Sequence, residues 1–170
     1  MKKLWKKYLN LRNFVIFICF ALLFILGFNY FFGPEKPTTR NDGLPRKQAE
    51  IRLKDTGKTV KLTVELAQTP HELTLGLSNR DVLETGLGMY FVLPVRDYNS
   101  FWMKDMRFPL DIIWIDQGTI VGINKNCPIP QDENNVPTFR SPQKVTNVLE
   151  VNAGFSDQNN INSGDTINLQ

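Results

Sequence analysis

The sequence predicts a small, mainly β or α+β domain with a curved or barrel-like sheet and one or two short helices, preceded by one transmembrane helix. Three observations carry this expectation. Short apolar runs that alternate with polar residues recur from Ala49 to the C-terminus, with turn residues between them. A single segment, Thr69-Pro70-His71-Glu72, has the composition of a helix start. An uncharged apolar run, Phe14 to Phe32, stands in front of all of them, behind a cluster of cations.

The chain holds 20 basic and 17 acidic residues, but Lys2, Lys3, Lys6, Lys7 and Arg12 all precede the first carboxylate, Glu35. Without those five cations the remainder is slightly acidic, so the basic balance belongs to residues 1–13 and gives no reason to expect a nucleic-acid partner. Residues 14–32 as a helix would span about 28 Å, close to the roughly 30 Å of a bilayer's hydrocarbon. A helix also satisfies the backbone groups that lipid cannot. The cationic flank places the N-terminus in the cytoplasm and the C-terminal domain outside it, as a single-pass protein of the cell membrane. A cleaved signal peptide would need a shorter apolar region and a small-residue cleavage pattern, which Phe28 to Gly33 lacks. Residues 33–47, with three prolines and two glycines, read as a flexible linker, and the domain is expected over 48–170. The two cysteines, Cys19 and Cys127, fall in different parts, so the domain must hold by its core without a disulfide.

Within the domain, Ala49–Leu53 and Thr59–Leu66 flank Asp55-Thr56-Gly57-Lys58, a hairpin with one buried face. The segment from Thr69 combines a cap, a proline at the first helical position and a glutamate three residues after the cap. This short helix should turn Leu73 and Leu77 to the core. Gly88–Leu93, Ser100–Met103 and Leu110–Ile115 follow as strands, and Asp116-Gln117-Gly118 turns the last of these into Thr119–Ile123. After a proline-bearing loop over residues 125–146, expected to form a lid or binding edge, Asn147–Val151 is a strand and the C-terminus closes with a Gly-Asp turn and one more.

The order and spacing of several blocks resemble a known family. Gly88-Met89-Tyr90-Phe91-Val92, Phe101-Trp102-Met103-Lys104 with Pro109-Leu110-Asp111-Ile112, Val148-Leu149-Glu150-Val151 with Ala153-Gly154, and Gly164-Asp165 are similar to the uncharacterised family called domain of unknown function 192, over about residues 48–170. The resemblance implies a small β-rich fold, often exported or anchored, and brings no reaction or ligand. Where the family commonly has GLM-x-R, this chain has Gly76-Leu77-Ser78-Asn79-Arg80, and Asp105-Met106 replaces the usual Asn-Thr.

Candidate functional residues come from the strand pattern. Asp111 shares a face with Ile113 and Ile115, where an unpaired carboxylate would be costly and its pKa raised. Lys104 and Arg107 are its nearest candidate partners, and backbone amides are the structural alternative. Glu150 points away from Leu149 and Val151, to the side of Val148. Asp111 and Glu150 are therefore the candidate catalytic pair for a hydrolase. Trp102 and Lys104, with Asp111, form a candidate ligand-binding patch for an envelope glycan, peptide or small polar ligand, roofed by the 125–146 loop. Met89, Met103, Met106, Cys127 and His71 lack the compact spacing of a metal site, and no cofactor is expected. Cys127 lacks an activating neighbour. The leading expectation is a non-catalytic binding module of the cell envelope. The alternatives are the hydrolase and a scaffold that docks on another membrane protein.

Overall fold

The computed structural model describes residues 43–132 and 134–170. The expected tail, transmembrane helix and most of the linker lie outside these residues. Among the described residues no helix is long and apolar enough to cross a membrane.

Strand β1 runs Arg46–Arg52, so it takes in Arg46 and Lys47 from the end of the expected linker. It turns back through residues 53–58 into β2, Thr59–Ala67, as an antiparallel hairpin. Helix α1, Pro70–Leu75, follows directly. The Thr69 hydroxyl accepts from the Glu72 amide, and the Glu72 carboxylate accepts from the Thr69 and Gln68 amides. These bonds occupy donors that a helix start otherwise leaves unpaired, and they hold the Glu72 carboxyl below its ordinary pKa. Strand β3, Leu87–Asp97, then pairs parallel to β2. Parallel neighbours cannot be joined by a tight turn, so residues 68–86 must cross over, carrying α1 across an outer face of the sheet.

Strands β4, Ser100–Trp102, and β7, Thr138–Arg140, form a separate two-stranded sheet. Strands β5, Leu110–Asp116, and β6, Thr119–Cys127, make the second hairpin. Its turn residues Gln117 and Gly118 both have positive φ, 48° and 80°, the geometry that matches the twist of paired strands. Strand β8, Val145–Asn152, helix α2, Phe155–Gln158, and strand β9, Thr166–Leu169, complete the domain. The seven longer strands close into a barrel in the order β1-β2-β3-β8-β5-β6-β9.

Alternation along each strand divides the apolar side chains into two clusters. Every barrel strand contributes to the first, including Ile51, Val64, Tyr90, Ile113, Leu149 and Ile167, and this cluster fills the lumen. The second lies on the outer face of β3, β8 and β5, with Met89, Phe91, Ile112, Trp114 and Val148, and is covered by Leu77 and Leu83 of the crossover and by Met103 and Met106 after β4. The expected long loop is thus structured in part. Residues 125–127 extend β6, and β7 braces β4, with Phe139 paired to Phe101. No described residue of 125–146 lines the clefts beside Trp102, so the loop supports a wall and does not form the expected roof.

Candidate functional site

The domain buries four carboxylates to 4% exposure or less: Glu65, Asp111, Glu150 and Asp165. A buried carboxylate is costly unless hydrogen bonds or a counter-charge offset its lost hydration, so the partners of each one indicate its role.

Asp111 lies on the lumen face and is fully buried. One oxygen accepts from the amides of Asn126 at 2.8 Å and Gly154 at 3.2 Å, and the other from Ser156 at 2.9 Å. The residue ties the end of β6 to the β8–α2 connection. Neither expected cation reaches it. Arg107 pairs with Asp81, and the Lys104 ammonium stands over the Trp102 ring, 5.5 Å from its centroid. Asp165 is similar, accepting from the amides of Lys54 and Asn162, each at 2.8 Å.

Strand register separates the two carboxylates expected to act together. Asp111 is opposite Val151, and Ile112 is opposite Glu150. A period of two then turns Asp111 into the lumen and Glu150 to the outer face. The expected catalytic pair is therefore split across the barrel wall. Asp111 also lines neither of the clefts beside Trp102, which removes it from the expected binding patch with Trp102 and Lys104.

On the outer face a cross-strand row runs Glu65, Met89, Glu150, Ile112. Its two acids have opposite surroundings. Glu65 is held by Arg80 at 2.6 Å and by Arg46 at 2.8 Å, so the crossover residue Arg80 is clamped to β2. The sequence does not show this ion pair, because Glu65 sits on the polar side of the alternating β2 run and its partners Arg80 and Arg46 come from other elements. Among the described residues Glu150 takes no hydrogen bond or ion pair. Burial alone raises its carboxyl from 4.5 to about 8.

Glu150 opens onto a cleft of about 350 Å³. One wall is the crossover, with Leu73, Gly76 and Ser78, and the opposite wall is β4, with Phe101 and Trp102. Phe91 and Glu150 of the barrel form the floor. Phe101 stands edge-on to Phe91 at 4.9 Å and to Trp114 at 5.7 Å, which fixes the β4 wall to the barrel. Trp102 is 51% exposed at the rim. Gly76, at φ 47°, leaves only 3.3 Å between an added Cβ and the Phe91 ring, so a side chain there would press on the floor. Of the expected binding residues, the structure places Trp102 in this cleft and Lys104 in a smaller neighbouring one with His71 and Asp105.

The remaining soft ligands and the thiol are core residues. Met89, Met103 and Cys127 are fully buried, and burial pushes the Cys127 thiol up to about 12, with the Asp111 charge adding to the effect. Among the described residues no cluster of His, Cys, Asp or Glu could hold a metal ion.

Two solved structures share this fold. A candidate transcription regulator from Sinorhizobium meliloti is 31% identical, with a TM-score of 0.68 over 74% of this chain and 95% of its own. A protein of unknown function from Novosphingobium aromaticivorans is 28% identical, with a TM-score of 0.68 over 79% of this chain and 94% of its own. No functionally curated protein matches the chain. The model of the DUF192 family, described as uncharacterized ACR, matches residues 51–169. The chain therefore belongs to the DUF192 family.

Proposed function

We infer that the domain is a binding module, and that its ligand lies in the cleft between the crossover and β4. The observation that carries this reading is Glu150: a carboxyl 4% exposed, without a partner among the described residues, at the floor of a cleft lined largely by apolar and aromatic residues. Placing an acid there costs folding free energy that a well-packed hydrophobic residue would not. Such a cost is characteristic of a group kept for a ligand. The exposed Trp102 supplies an aromatic surface at the entrance. A small ligand, a peptide side chain or a glycan substituent of the cell envelope would fit a cleft of this size. The uncharged run 14–32 and its basic flank support a domain held outside the cytoplasm on the membrane.

The two solved relatives consist almost entirely of this domain, which supports independent folding of a 43–170 fragment. That fragment should show a ligand-dependent rise in melting temperature in a screen of amines, peptides and glycans. The Trp102→Ala variant should keep the fold and lose the shift. A shift unchanged in that variant would locate binding elsewhere. Protease added to intact cells should reach the C-terminus, and protection of that end would overturn the external placement.

A second reading is favoured by one observation. A carboxyl that holds its proton near neutral pH is suited to general acid catalysis, so the cleft could be that of an envelope enzyme using Glu150 alone. Substrate turnover abolished by Glu150→Gln would establish it.

A further inference from the structure

We propose that the cleft selects an organic cation: a ligand with one ammonium or guanidinium group seated against Glu150 and an apolar body between Phe101, Trp102 and Leu73. This rests on the reading of the cleft as a ligand site and adds the ligand's charge.

The argument starts from the row of acids on the outer face. Glu65 shows how this fold stabilises a buried carboxylate from within, with guanidinium groups from Arg80 and Arg46 at 2.6 and 2.8 Å. Glu150 is two strands further along the same row, about 10 Å away at ordinary strand spacing, and no described residue brings a cation to it. It is also the only ionisable side chain lining the cleft among the described residues. A cationic ligand would supply the counter-charge that the described residues do not, and would favour the ionised carboxylate over the protonated form. An N–H donor gains most here, because a charge-assisted bond is stronger where water is excluded.

The other lining groups agree with a cation and oppose an anion. Phe91, Phe101 and Trp102 present rings, whose faces attract positive charge. The hydroxyl groups of Thr74, Ser78 and Ser100 can accept from an N–H donor. No lining residue is basic, and the Lys104 ammonium, 5.5 Å from the Trp102 ring centroid, lines only the neighbouring cleft.

The groups packed around Glu150 allow a test by pH. Met89 and Phe91 of β3, Ile112 of β5 and the lining residues of the crossover and β4 do not titrate. Cys127, in the same outer cluster, is pushed up to about 12. The Glu65–Arg80 pair is beyond Met89, and His71, Lys104 and Asp105 border the neighbouring cleft.

The test is titration of the 43–170 fragment with benzyltrimethylammonium, 2-phenylethylammonium, 2-phenylethanol, phenylacetamide and phenylacetate, followed by NMR shifts of the cleft residues and by the combined fluorescence of Trp102 and Trp114. The two cations are expected to bind about tenfold or more tightly than the neutral compounds, with phenylacetate weakest. Glu150→Gln should bring the cations to within about threefold of the neutral compounds. Affinity for benzyltrimethylammonium, whose charge is fixed, should rise about tenfold or more from pH 6 to pH 9 as Glu150 gives up its proton, while that for 2-phenylethanol stays level. Neutral compounds binding as well as cations would overturn the charge assignment and leave the cleft as a ligand site. Cation binding untouched by Glu150→Gln would overturn it also. Failure of every compound to bind would remove both the assignment and the cleft reading.

Discussion

Replacing Glu150 with Gln should stabilise the domain, and by an amount that grows with pH. In the folded protein burial raises this carboxyl from 4.5 to about 8, whereas the unfolded chain returns it to the ordinary value. Below about pH 4.5 both states hold the proton and the residue has no linkage effect. Between the two values the folded state keeps a proton that the unfolded chain has released, so rising pH favours unfolding. At about 1.4 kcal/mol per pH unit, the loss reaches about 3 kcal/mol at pH 7 and levels off near 5 kcal/mol above pH 8. Glutamine has nearly the same shape and no charge to bury, so its unfolding free energy lacks this slope. Urea unfolding of the 43–170 fragment and its Glu150→Gln variant, from pH 4.5 to pH 9, measures the difference directly. Two curves parallel across that range would mean that Glu150 has a counter-charge or ready access to water, and the argument for the cleft would fail at its first step.

Asp111 should behave in the opposite way. Asp111→Asn replaces one acceptor oxygen by a donor that would face backbone N–H groups, and should cost roughly 3 kcal/mol in the same unfolding assay without altering affinity for any cleft ligand. A stability unchanged by this substitution would contradict the hydrogen-bonding role. Cys127, fully buried with its thiol at about 12, should resist a water-soluble disulfide reagent in native buffer and react once urea unfolds the domain. Fast labelling of the native fragment would show that the outer cluster opens.

Much of the candidate site was present in the sequence, but in the wrong combination. Trp102 and Glu150 were each singled out, and alternation had already turned Glu150 to the side of Val148. The sequence pairs Asp111 with Glu150 as catalytic candidates and, separately, with Trp102 and Lys104 as a binding patch, and the structure puts Asp111 in neither. Period-two reasoning assigns faces within a strand and leaves open how faces on different strands correspond. The register of β5 against β8 supplies that link by setting Asp111 beside Val151 and Glu150 beside Ile112. Phe101 has two roles that only the structure joins: it packs edge-on to Phe91 and Trp114 and lines the cleft.

By itself the sequence determined what is local. Alternating apolar residues specified the strands, Gln117-Gly118 a hairpin turn, and Thr69 with Glu72 the start of a helix, because each depends on residues within a few positions of one another. The blocks from Gly88 to Asp165, the one from Phe101 to Ile112 most specifically, carry the resemblance to the family whose model matches residues 51–169. Only the tertiary structure decided that β2 and β3 run parallel, that β7 braces β4, and that Arg80 and Arg46 reach Glu65 while no described residue brings a cation to Glu150. Those outcomes join residues far apart in the chain. They follow from barrel closure and strand register, and the free energy of a buried charge depends on the neighbours that closure brings to it.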